Sequence, residues 1–170
     1  PEYFRNLLPT SEDPRAAAAT WRETIGVAIP GTDISLATAW RELTETADRH
    51  NQPGEFTALI GWEWTSNPGG ANMHRVVVTN ANAAQARKFS PFRSTDSPYP
   101  ADLWSWMKRT TEQFTVDMVA IPHNSNISKG QMFASTTLRG DEFTTDYGRL
   151  RLRFEPIVEI TQIKGDSETH

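Results

Sequence analysis

Apolar residues along this chain gather into short runs of strand length, separated by stretches with helical periodicity, and several of the runs begin or end on a residue able to bind a metal. Residues 56–64 read as a buried strand that finishes Leu59-Ile60-Gly61-Trp62-Glu63-Trp64. Residues 65–73, rich in Asn, Pro and Gly, form a loop or tight connection to a second strand, 74–79, which opens on His74. A third run, 116–121, ends in Pro122-His123-Asn124, and a fourth, 157–163, follows Pro156. Between them lie predicted helices: 16–25, with Trp21 as an anchor; 35–50, with Leu36, Trp40 and Leu43 as an apolar stripe and Asp33 or Ser35 as cap; and a short one within 81–88. Another starts at Pro100 and carries Leu103, Trp104, Trp106 and Met107, and 141–153 has a mixed face. Strands alternating with helices of about 10 to 15 residues predict an α/β fold with mostly parallel strands and one antiparallel pair at 56–79. The 170 residues suit a single domain.

Composition narrows the function classes. A formal charge of -4 and a pI near 5.6 give no reason to expect nucleic-acid binding. The local basic cluster Arg149, Arg151 and Arg153, beside Glu155, reads as a solvated helix face. The chain has no cysteine, which excludes disulfides, thiolate metal sites and thiol nucleophiles. No apolar run reaches a membrane span, and the opening Pro-Glu-Tyr-Phe-Arg lacks signal-peptide character; the compartment stays open between the cytoplasm and export after loss of an upstream segment. Nucleotide-binding glycine loops and the Gly-x-Ser-x-Gly elbow are absent, and the Asn126-Ile127-Ser128 sequon reads as incidental. Six tryptophans suit core or interdomain packing better than a stacking platform. By strand alternation Trp62 and Trp64 face away from Glu63.

The candidate chemistry is a metal centre. Carboxylate and neutral imidazole suit Zn, Mn or Fe, and Glu63, His74 and His123 each sit at a strand end, where ligands from separate strands can converge. Asn124, Ser125 and Asn126 either orient His123 or donate to a phosphate or carboxylate, with ordinary turn chemistry as the alternative. Arg75 either meets substrate charge or pairs with an acid. His50, with no apolar neighbours, reads as a surface residue. Lys164, Asp166, Glu168 and His170 follow the last strand and are candidates for the substrate side.

The stretches FTALIGWEWTS, NMHRVVVTN, SPYPADLWSWM, VAIPHNSNISKGQMF and FEPIVEITQIKGDSETH resemble a bacterial family within the PHP superfamily, named after polymerase and histidinol phosphatase members. The resemblance implies a partial distorted β/α barrel, divalent metals at its carboxyl end, and hydrolysis of a phosphorylated small molecule. On it Glu63 resembles a metal-bridging carboxylate, His74 the histidine opening the next strand and His123 that of a proline-histidine motif. Glu159, Glu168 and His170 resemble second-layer or substrate-side groups. The family's Asp-x-His-x-His and Thr-Asp-His segments would precede Pro1 and an Asp-x-His pair would follow His170, which implies an internal piece of a larger hydrolase, inactive by itself. The competing expectations are a non-catalytic structural or protein-binding domain, its groove lined by Trp104, Trp106 and Met132, and a homo-oligomer formed through open sheet edges.

Overall fold

In a computed structural model of the protein, residues 32–163 and 165–166 are described; the expected helix over 16–25 lies outside them. The chain divides into two compact units, Pro1–Thr38 and Ala39–His170, and the sheet and the candidate site both belong to the second. Helix α1 covers Thr32–His50, so Asp33 and Ser35 lie inside its first turns instead of capping it. Of the predicted stripe Trp40 is buried, together with Thr44 one turn further on, whereas Leu36 and Leu43 are each 43% exposed. Trp40 is anchored because its indole N–H donates to the carbonyls of Ala86 and Phe89, at 3.0 and 3.1 Å. His50 is at the surface, as expected.

The sheet contains β1 (Ile60–Trp64), β2 (Arg75–Thr79) and β3 (Met118–Pro122), in that order, with β2 in the middle. Both pairings are antiparallel, so the predicted pair at 56–79 forms, while the mostly parallel β/α barrel does not: among the described residues no parallel strands and no barrel occur. The reason is that an apolar run identifies a strand but not its direction. The β2–β3 connection holds α2 (Ala83–Ala86) and α3 (Pro100–Phe114), which resembles a crossover in sequence yet returns the chain antiparallel. Asn82 caps α2 in a capping box with Gln85, and Pro100 opens α3 as expected. Helix α4 (Thr145–Phe154) is capped by the Thr144 hydroxyl, which accepts from the Tyr147 amide.

The fourth predicted strand shrinks to β4 (Thr161–Gln162), which pairs antiparallel with β5 (Gly165–Asp166) and not with the main sheet. Ahead of it Ile157, Val158 and Ile160 remain exposed. A backbone bond from the Glu159 amide to the Pro122 carbonyl, 3.1 Å, fastens this segment at the end of β3.

Strand alternation gives the sheet one packed face. Ile60, Trp64, Val77, Met118 and Ala120 point into a core completed by Leu103, Trp104 and Met107 of α3 and Phe154 of α4. Trp62 packs at its margin, edge-on to Trp40 and Trp106 with centroids 5.6 and 5.7 Å away. Trp104 and Met132 are 1% and 2% exposed, so they are core residues and cannot line a partner groove.

The packed face also holds a charge cluster. The Arg75 and Glu155 side chains are 1% and 2% exposed, and the Arg75 Nε donates to Glu155 Oε1 at 2.8 Å. The same carboxylate accepts from the Trp104 indole at 2.8 Å and from Arg151 Nε at 3.2 Å. Arg151 therefore turns inward, unlike the solvated face expected for the basic cluster; Arg149 and Arg153 do face outward, beside Asp146 and Glu112. Burying charges is costly, and removing one partner strands the others without compensation. Glu155→Gln is expected to lower unfolding free energy by about 3 kcal/mol in urea titrations. A loss below about 1 kcal/mol, the size of an exposed pair, would show that the cluster is solvated.

Candidate metal centre

Register explains how the site forms. Trp64, Arg75 and Pro122 lie across from one another on the packed face, and Glu63, Val76 and Ile121 form the neighbouring row on the other face. Beyond the formal strand ends, the His123 amide donates to the His74 carbonyl at 3.4 Å, which carries the β2–β3 ladder one step further. At that step alternation brings His74 and His123 back to the face of Glu63. Three strands thus deliver the carboxylate and both imidazoles to one end of the open face.

Glu63 Oε1 stands 2.8 Å from His74 Nδ1 and 3.2 Å from His123 Nε2. The imidazoles meet edge-on, centroids 5.8 Å apart. One ligand atom from each residue can be chosen so that all lie within 4.8 Å of one another. The two oxygen–nitrogen separations are close to the roughly 3.3 Å edge of a tetrahedron built on bonds near 2 Å, so the donor set fits a divalent ion of the Zn, Mn or Fe kind. Glu63 is 46% exposed and the histidines 16% and 13%, which leaves one side of the cluster open to solvent. His123 Nδ1 is buried with no hydrogen-bond partner among the described residues.

The supporting residues divide clearly. Asn124 adopts a left-handed backbone, φ 56°, that turns the chain sharply after His123. Its amide donates to Glu159 Oε2 at 3.4 Å, and Gln162 donates to both Asn124 Oδ1 and Glu159 Oε2. Asn124 and Glu159 therefore brace the strand end next to His123. Asn126 sits exposed on the 3-10 turn Ser125–Ile127. Arg75 is not on the site's face at all: its buried bond to Glu155 is the acid pairing, and the substrate role considered for it has no geometric support. Lys164, Glu168 and His170 lie outside the described residues.

Sequence reasoning missed Asn67, whose Oδ1 is 3.0 Å from His74 Nε2. Standing before Pro68-Gly69-Gly70, it reads as turn punctuation and nothing else. Gly61 was missed too. A Cβ there would lie 2.7 Å from the Val77 carbonyl oxygen, inside the β1–β2 ladder and two residues from Glu63. Gly61→Ala is expected to cost about 1 to 3 kcal/mol in thermal or urea unfolding, because a backbone oxygen must give way. A variant as stable as the parent would mean that β1 shifts freely at this point.

No curated protein and no solved structure matches the chain. The family model described as a protein of unknown function (DUF3604) matches residues 3–170, and the chain belongs to that family.

Proposed function

We propose that the chain carries a divalent-metal site made by Glu63, His74 and His123, and that this site serves hydrolysis of a phosphorylated small molecule. The observation that carries the reading is the convergence of one carboxylate and two imidazoles from three strands at the solvent-open end of a sheet face. The phosphoester class is supported by the resemblance of the segments around these residues to PHP proteins and by no contact within the site. A divalent ion held there would supply Lewis acidity and make a water molecule more acidic. The chain's own residues supply the rest: Glu63 holds negative charge between the imidazoles, Asn124 and Glu159 fix the strand end that presents His123, and the exposed side of Glu63 leaves room for a substrate oxygen.

Among the described residues no helix is long and apolar enough to cross a membrane. A non-catalytic reading takes its support from the same contacts, since Glu63 and the histidines already bond to one another.

Calorimetric titration with zinc and with manganese separates the two. Wild-type protein is expected to bind, and Glu63→Gln, His74→Ala and His123→Ala are each expected to lose at least about tenfold in affinity while keeping their circular dichroism. Acidification is expected to release the metal, because imidazole must be neutral to act as a ligand. No binding by the wild type, or equal binding by all the variants, would leave the non-catalytic reading. If the metal binds, inorganic phosphate is expected to associate with the loaded protein more tightly than acetate does; the reverse order would remove the phosphoester class.

A further inference from the structure

We infer that Asn67 is a positioning residue for the metal centre, holding His74 with its proton on Nε2 so that Nδ1 is presented to the ion. The inference rests on the metal reading above.

His74 lies between two oxygens: Glu63 Oε1 is 2.8 Å from Nδ1, and Asn67 Oδ1 is 3.0 Å from Nε2. A neutral imidazole has one donor nitrogen and one acceptor nitrogen, so it cannot donate to both oxygens. With its one proton on Nε2 and donated to Asn67 Oδ1, the neutral ring would turn its Nδ1 lone pair toward Glu63, and a divalent ion would be held by the two together. Ligating histidines ordinarily pass their second N–H to an oxygen in this way, which fixes the ring's tautomer and orientation and raises its basicity.

The loop is tied down enough to hold this geometry. The Met73 amide donates to the Ser66 carbonyl at 2.9 Å, and the Ser66 hydroxyl donates to the Pro98 carbonyl at 2.8 Å. Lys129 Nζ donates to the Gly69 carbonyl at 2.6 Å. Asn67 therefore stands on a stretch anchored on both sides. The His123 ring offers a contrast, because its buried Nδ1 has no comparable acceptor among the described residues. Among the described residues, a side-chain oxygen at the ring nitrogen facing away from Glu63 is thus a feature of His74.

The test uses the zinc-loaded chain, with zinc affinity and the imidazole region of the proton–nitrogen NMR spectrum as readouts. For wild-type protein the expected result is zinc bound through His74 Nδ1 and a slowly exchanging His74 Nε2–H signal. Asn67→Ala is expected to lose that signal to solvent exchange and to bind zinc about tenfold more weakly, the lower end for an outer-layer partner because Asn67 is exposed. Asn67→Asp, which keeps an acceptor oxygen, is expected to restore the signal. Preserved backbone resonances in both variants would separate positioning from misfolding. A His74 proton found on Nδ1 in the loaded protein, or an Asn67→Ala variant equal to wild type in signal and affinity, would overturn the role of Asn67 and leave the metal reading standing. Failure of wild-type protein to bind zinc would overturn both.

Discussion

The register of β2 between its two neighbours is the constraint on which the rest of the structure depends. Side chains alternate along a strand, so a slip by one residue would exchange the two faces of the sheet. It would turn Arg75 and Val77 to solvent and bring His74 and Val76 into the core. What prevents the slip is the packed face itself. Arg75 is held by Glu155 at the end of α4, and Trp64 lies across from Arg75 on β1 with the guanidinium 5.8 Å from its ring. The buried ion pair contributes little net stability by itself, since desolvation offsets much of its attraction. Its effect is selective: a one-residue slip takes the guanidinium to the other face and leaves the Glu155 carboxylate buried without it.

Placement of the site then follows from the core. Once Trp64, Arg75 and Pro122 take the packed face, the residues next to them must occupy the other one. Glu63 precedes Trp64, His74 precedes Arg75 and His123 follows Pro122. The three candidate ligands are sequence neighbours of three core residues, and the open face acquires its donors because the buried face is filled. A loss of packing at Glu155 would therefore reach the site through β2, although Glu155 touches none of the ligands.

This arrangement accounts for what the sequence made legible. Glu63, His74 and His123 stood out because each adjoins an apolar run, a pattern that a single strand displays by itself. The orientation of Trp62 and Trp64 away from Glu63 was readable for the same reason. The antiparallel pairing of β1 with β2 was readable as well, but the direction of β3 was not, because it depends on how the long segment between Thr79 and Met118 packs, and its helices give the same signals whether the chain crosses over or returns. The pairing of Arg75 with Glu155 spans 80 positions and leaves no local trace. Residues 157–163 show the opposite failure: apolar periodicity was present, but only Thr161–Gln162 pairs, and it pairs with its own continuation. Leu36 and Leu43 likewise satisfied a helical stripe, yet each is 43% exposed.

An ion at this site would act on the fold as well as on a substrate. Its ligands come from β1, from the start of β2 and from the end of β3, so one bound ion would join all three strands at the end where the regular ladder stops. Because an ion that binds only the assembled strands stabilises them by mass action, its affinity and the stability of the sheet are linked in both directions. The exposed half of Glu63 sets the balance. Held wholly by protein donors, the carboxylate would be a structural clamp; left partly in water, it would keep one side of a bound ion accessible, and the same three residues would tie the strands together while leaving a place for an incoming ligand.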